Sequence, residues 1–168
     1  ASANCGLYCG ASVDFVDVDP DTALMSVNAL ESKLEQAKQQ GKLPKIVIPV
    51  HLAGQSCDMK AISKLGERYN FRIIEDAAHA IGASYLNKNV GSCQYSDITV
   101  FSFHPVKVIT TGEGGAALTN NLEVAKQMQL LRSHGITRDS KEMTNSIVSD
   151  WYYEQISLGF NYRMTDFQ

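Results

Sequence analysis

The sequence predicts an α/β domain built around a mostly parallel sheet, and three observations carry that expectation. Short β-branched or apolar runs recur at 13–18 (VDFVDV), 45–50 (KIVIPV), 71–75 (FRIIE) and 98–103 (ITVFSF). Between and after them lie stretches of helical periodicity, so strand and helix alternate as in βαβ units. Two of the runs, FRIIE and ITVFSF, are apolar enough to be buried on both faces, as strands of a parallel sheet are.

Taken in order, 13–18 reads as a strand, and Val27, Leu30, Leu34 and Ala37 repeat at helical spacing until Gly41 stops them. KIVIPV is the next strand, followed by a helix that Asp58 can cap and whose Ile62, Leu65 and Tyr69 share a face. FRIIE and ITVFSF follow as strands, then 116–119, then a helix carrying Leu122, Ala125, Met128 and Leu131. Residues 133–157 are polar, broken and weakly periodic, and read as a long connection before Gly159-Phe160-Asn161-Tyr162-Arg163. The last five residues read as the opening turn of a helix with Thr165 as its cap, at a point where the chain looks cut short. No repeat or Pro/Gly-rich linker divides residues 1–168, so they read as one domain or part of one.

Composition excludes several classes. The 168 residues carry 15 Lys plus Arg against 18 Asp plus Glu, a formal charge of −3, with the basic residues scattered. That distribution offers no stripe for a nucleic-acid backbone. No apolar run is long enough to span a membrane, and the start, Ala1-Ser2-Ala3-Asn4, lacks the basic and apolar regions of a signal peptide. Cys5, Cys9, Cys57 and Cys93 match neither a disulfide framework nor paired metal knuckles. They read as buried or half-buried thiols of a reducing, cytoplasmic compartment, and no metal is expected.

Residues that face a ligand in a parallel sheet lie just past the carboxyl ends of strands. After FRIIE come Asp76 and the small-residue run 77–83 (AAHAIGA), which includes His79. After ITVFSF, which includes Ser102, come 104–107 (HPVK) and 109–115 (ITTGEGG). Lys107 is an amine that burial and nearby positive charge would make nucleophilic. Asp76 is a carboxylate able to keep a pyridine nitrogen protonated. From the residues alone, the plain alternatives stay open: a surface lysine, an aspartate capping a turn, and a core histidine.

Residues 101–107 with 109–115 resemble the lysine motif of the sugar-nucleotide aminotransferases, a family of fold-type I pyridoxal-phosphate enzymes. Residues 49–54 (PVHLAG) followed by Asp58-Met59, then 74–80 (IEDAAHA) and 161–164 (NYRM), resemble further blocks of that family in the same order. The resemblance implies the three-layer αβα large domain of these enzymes, lacking an N-terminal phosphate-binding segment and a C-terminal small domain. It implies pyridoxal 5'-phosphate bound covalently by Lys107, which also moves a proton between substrate and cofactor. Asp76 would hold the ring nitrogen, His79 would sit by the ring's 3-hydroxyl oxygen, and Ser102 would bind the phosphate. Asn161 would reach the phosphate of a neighbouring subunit in a homodimer with shared sites, and Arg163 would approach the substrate.

The implied reaction takes the amino group of L-glutamate to a keto group of a nucleotide-linked deoxysugar. The details of HPVKVITTGEGG are most similar to the C4 aminotransferases of the pseudaminic acid pathway, which act on a UDP-linked 4-keto-6-deoxy-N-acetyl sugar. The stretch 137–153 is longer than the family's usual connection. Two rival readings are a sugar 3-dehydratase, in which a histidine replaces the lysine, and a silent relative acting as sensor or scaffold. Lys107 argues against the first.

Overall fold

In the computed structural model, which describes residues 1–145 and 149–168, the chain folds as two units, Ala1–Asn120 and Asn121–Gln168. The first unit contains α1 (Ser2–Tyr8), α2 (Val27–Gln39), β1 (Ile46–Val47), α3 (Met59–Tyr69), β2 (Arg72–Asp76), the hairpin strands β3 (Ser84–Tyr85) and β4 (Lys88–Asn89), β5 (Ile98–Ser102) and β6 (Gly115–Leu118). Its sheet has the order β1-β2-β5-β6. β1 and β5 flank β2 in parallel, and β6 pairs antiparallel with β5. The mostly parallel α/β sheet expected from the sequence is therefore present.

Helix α2 starts where Ser26 accepts a bond from the Ala29 N–H, 3.2 Å, and ends at Gly41, whose φ of +65° suits glycine. Asp58 caps α3 through the Ala61 N–H, 3.1 Å. Asp58 also accepts from the Tyr85 hydroxyl at 2.6 Å, tying the β3–β4 hairpin to that helix. Burial together with this bond pushes the Tyr85 phenol up to about 12. One face of α3, with Met59, Ile62, Leu65 and Tyr69, packs with Leu30 and Leu34 of α2 against Val47 and Ile73 of the sheet. Each such side chain contributes roughly 1.5–3 kcal/mol on burial.

One sequence expectation in this unit is corrected. Residues 13–18 make no strand, only an isolated bridge between Val18 and Met25. Their backbone groups are taken locally: the Asp14 carboxylate accepts from the Phe15 N–H, the Asp17 carboxylate from the Val18 N–H, and Lys33 of α2 donates to the Phe15 carbonyl at 2.6 Å. The crossover from β2 to β5 carries the β3–β4 hairpin. Leu86 and Asn87, both at positive φ, make its tight turn. α1 was not read from the sequence, because a seven-residue helix of small residues has no apolar period.

A buried polar cluster ties the strands together. Glu75 is 5% exposed, and His51 and Thr99 are fully buried. The Cys57 N–H donates to His51 Nδ1 at 3.3 Å, so Nε2 carries the ring proton and donates to Glu75 at 2.7 Å. Ser96 and Thr99 donate to the other oxygen of Glu75, Thr99 at 2.9 Å. Burial acts to raise Glu75, and the bonds from His51, Ser96 and Thr99 outweigh it, holding the carboxyl below its ordinary 4.5.

The second unit holds α4 (Leu122–Arg132), capped by Asn121, and a short antiparallel pair, β7 (Ile136–Thr137) with β8 (Glu154–Gln155). The polar connection expected at 133–157 thus contains a strand pair, while its residues 146–148 lie outside the described residues. Beyond it, the amides of Phe160 and Tyr162 donate to the carbonyls of Leu131 and Arg132 at the end of α4. The last residues close one turn through the Gln168 N–H and the Thr165 carbonyl. Cys57 and Cys93 are buried as expected, whereas Cys5 and Cys9 are exposed.

Two outcomes follow. Because the folded Glu75 ionises below 4.5, its contribution to stability is complete above that value and is lost as pH falls through the lower, folded value. Denaturant unfolding should therefore find Glu75→Gln about 2 kcal/mol less stable than wild type at neutral pH, with the gap narrowing as pH falls below 4.5. A gap that stayed constant would show that no ionised carboxylate is stabilised there. In the second unit, a Cβ on Gly135, at φ +70°, would lie 1.9 Å from the Ser157 carbonyl oxygen. Gly135→Ala should cost at least about 2 kcal/mol locally, read as faster exchange of the Ile156 amide, which donates to the Gly135 carbonyl.

Candidate active site

Alternation along β2 and β5 separates two kinds of residue. Ile73, Glu75, Thr99 and Phe101 are buried, whereas Ile74, Asp76, Ile98, Val100 and Ser102 are half-buried or exposed. Asp76 is in register with Val100, so Asp76, Val100 and, two residues on, Ser102 share the open face of two strands that run side by side about 4.8 Å apart. Both strands end here at their carboxyl ends. The sheet thus brings a carboxylate and a hydroxyl to one edge, as the sequence predicted.

The loop after β5 keeps Lys107 at that edge. Phe103 donates its N–H to the Gly114 carbonyl at 2.9 Å, and its own carbonyl accepts from the Thr111 N–H and the Thr110 hydroxyl. These bonds close the loop on itself, and the Lys107 N–H turns back onto the His104 carbonyl at 2.9 Å. Ser102 Oγ accepts from the His104 N–H at 3.3 Å. Lys107 is half-buried between the exposed Val106 and Val108. Among the described residues its amine forms no ion pair, so no neighbouring carboxylate neutralises it.

Asp76 is held on both oxygens. Oδ1 accepts from the Ala78 N–H at 3.2 Å, and Oδ2 accepts from the Ser2 hydroxyl at 2.5 Å. Its backbone is pinned as well, by the bonds from Asp76 N–H to the Pro49 carbonyl and from His51 N–H to the Asp76 carbonyl. His79 follows in the next turn, and its Nδ1 accepts from the Ala53 N–H at 3.3 Å. With Nδ1 accepting, Nε2 is the ring nitrogen left to donate. The turn at 52–54 that presents this N–H has Ala53 at φ +54° and Gly54 at φ +88°. A Cβ on Gly54 would come within 3.0 Å of the His79 carbonyl oxygen, so glycine permits the two loops to approach.

Asn161 and Arg163 lie in the second unit, both exposed, with Asn161 bridged to Ser133. The first unit holds Asp76 and Ser102 at the carboxyl ends of β2 and β5, with His79 and Lys107 in the loops that follow those strands. Sequence reasoning missed Ser2, Ala53 and the Glu75–His51 pair behind Asp76. The pair left a legible signal, since Glu75 has the parity of Ile73 in an apolar strand. Ser2 left none, because its partner is 74 residues away.

Chemically, the edge combines an unpaired amine, an anchored carboxylate, an imidazole N–H and a hydroxyl beside small residues. That donor set fits a flat, anionic heterocyclic cofactor with a basic ring nitrogen and an electrophilic carbon.

Comparison with known proteins agrees with this chemistry. The chain is 42% identical over 168 residues to the UDP-4-amino-4,6-dideoxy-N-acetyl-beta-L-altrosamine transaminase of Campylobacter jejuni, covering 99% of this chain and 40% of that protein. It is likewise 42% identical to the GDP-perosamine synthase of Caulobacter vibrioides, covering 100% of this chain and 40% of that protein. Among solved structures, Helicobacter pylori PseC, an aminotransferase involved in the biosynthesis of pseudoaminic acid, superimposes with a TM-score of 0.82 at 31% identity. That match covers 97% of this chain and 39% of PseC. The chain therefore spans about two fifths of the length of the proteins it resembles. All of residues 1–168 match the model of the DegT/DnrJ/EryC1/StrS aminotransferase family, and with the mostly parallel α/β sheet that ends β2 on Asp76 and leads from β5 into the loop of Lys107, the chain belongs to that family.

Proposed function

We propose that this protein is a pyridoxal-phosphate-dependent aminotransferase that transfers the amino group of L-glutamate to C4 of a UDP-linked 4-keto-6-deoxy-N-acetylhexosamine, with residues 1–168 forming part of its cofactor-binding large domain. The reading is supported by the placement of Asp76 as the last residue of β2, in register with Val100 of the parallel β5, and of Lys107 in the loop that follows β5. Bound pyridoxal phosphate supplies the electron sink that stabilises the carbon losing its proton. Lys107 would hold the cofactor through its amine and, once freed, would serve as the base that takes and returns a proton at the substrate carbon. Asp76, held on both oxygens by Ser2 and Ala78, would keep the cofactor's ring nitrogen protonated. His79 would donate from Nε2 to the ring's 3-hydroxyl oxygen, and Ser102 would donate to the phosphate.

In a homodimer, Asn161 of one subunit would reach the phosphate in the other, and Arg163 would approach the substrate. The balance is one amino group for one carbonyl oxygen: glutamate leaves as 2-oxoglutarate, and the keto sugar leaves as the amino sugar. The Campylobacter relative and PseC support the sugar assignment. The equal identity to a relative named for a GDP sugar means that overall identity does not choose the nucleotide. UDP is argued from the motif HPVKVITTGEGG around Lys107. A lysine at 107, where related sugar dehydratases carry histidine, disfavours dehydration.

The intact protein, loaded with pyridoxal phosphate and reduced with borohydride, should carry a pyridoxyl group on Lys107 by peptide mass spectrometry. With glutamate it should aminate the UDP-linked 4-keto sugar at least tenfold faster than a GDP-linked one, on the roughly 1–3 kcal/mol scale of pocket discrimination. Lys107→Ala should fold, take no pyridoxyl group and lose turnover by several orders of magnitude. An unmodified Lys107 would overturn the aminotransferase reading. For the shared site, subunits lacking Asn161 mixed with subunits lacking Lys107 should regain activity by forming one complete site per dimer. No recovery would mean that each site is built from a single chain.

A further inference from the structure

Asp76 is the last residue of β2 and is half-buried, on the face of the strand opposite the buried Ile73 and Glu75. An ionised carboxylate has about four acceptor positions. Among the described residues two are filled, one on each oxygen: the Ala78 N–H at Oδ1, 3.2 Å, and the Ser2 hydroxyl at Oδ2, 2.5 Å. The first is a local turn bond, two residues along the chain. The second comes from the first residue of α1 and bridges 74 positions of sequence. One donor alone leaves the carboxylate able to swing about that bond, whereas two donors on different oxygens fix its plane.

We propose that Ser2 is a positioning residue that, by donating to Asp76 Oδ2, holds the Asp76 carboxylate in the plane in which it meets the cofactor's ring nitrogen, an inference that rests on the aminotransferase reading above. The two filled positions leave one lone pair on each oxygen for that nitrogen's N–H. Ser2 touches neither the reacting atoms nor the substrate in this assignment; it acts through Asp76. The bond also reaches across the molecule, from the start of α1 to the last residue of β2, so helix placement and carboxylate orientation are set together.

The test uses the intact protein and pyridoxal phosphate labelled with 15N in the ring. In wild type the ring nitrogen should give the chemical shift of a protonated pyridinium. Ser2→Ala leaves a strong helix former at the start of α1, and it should bind the cofactor about tenfold more weakly and move the 15N signal toward the unprotonated value. Ser2→Thr, which keeps the hydroxyl, should restore both readings. In an Asp76→Asn background, where no carboxylate remains to orient, Ser2→Ala should move the 15N signal no further. Circular dichroism of each apo form checks the fold, and Ser2→Cys, near in shape but a poor donor, serves if Ser2→Ala unfolds.

A 15N signal and affinity unchanged in Ser2→Ala would overturn the proposal, as would an equal loss of affinity with and without the Asp76 carboxylate, which marks a helix anchor only. The wild-type borohydride product separates the two layers of inference. A pyridoxyl group on Lys107 with an indifferent Ser2→Ala removes the role of Ser2 alone, and no pyridoxyl group in wild type removes the aminotransferase reading and this proposal together.

Discussion

The parallel register of β2 against β5 is the constraint on which the remaining structure depends. Glu75 lies opposite Thr99, and Asp76 opposite Val100. A slip by one residue would turn Asp76 into the core and Glu75 outward, exchanging the structural carboxylate for the chemical one. The buried cluster prevents that slip. Glu75 binds Ser96 and Thr99 on the β5 side and His51 on the β1 side, so a single inward carboxylate locks three neighbouring segments at once. An apolar side chain at 75 could fill the space but could not report which donors stand opposite, and polar groups specify a register in a way that oily contacts do not.

How much of this was legible in the sequence differs from element to element. α3 and its cap at Asp58 follow from periodicity and a single capping residue, because every determinant lies within a few positions. FRIIE and ITVFSF announce themselves by composition, but burial on both faces does not hold: Ile73, Glu75, Thr99 and Phe101 are inside, while Asp76 and Ser102 fall on a half-buried face. The run at 13–18 misled for a reason that local pattern does not carry: its aspartates and the distant Lys33 satisfy the backbone before any neighbouring strand can. The hairpin in the β2–β5 crossover and α1 were invisible because they are short, two residues per strand and seven in the helix, and too brief to show an apolar period.

The site itself divides the same way. Lys107, Asp76, His79 and Ser102 could be read because strand ends and a family motif point to them. The features that orient them could not. The Ala53 N–H selects the tautomer of His79, and Ser2 completes the grip on Asp76, yet both are backbone or hydroxyl groups on loops and helix ends far away in sequence. Single residues supply chemistry, whereas orientation is a property of the fold.

The separation of the two strand faces has a bearing on how such proteins diversify. Inward positions 73, 75, 99 and 101 carry packing and register, and outward positions 74, 76, 98, 100 and 102 meet whatever occupies the open side. Substitutions of one parity alter the groups offered to that side while leaving the other set, and hence the folding free energy, largely untouched. A lineage can then explore new ligands along alternate residues of an unchanged sheet. Heritable change in recognition and heritable stability are, in this stretch of backbone, nearly independent variables.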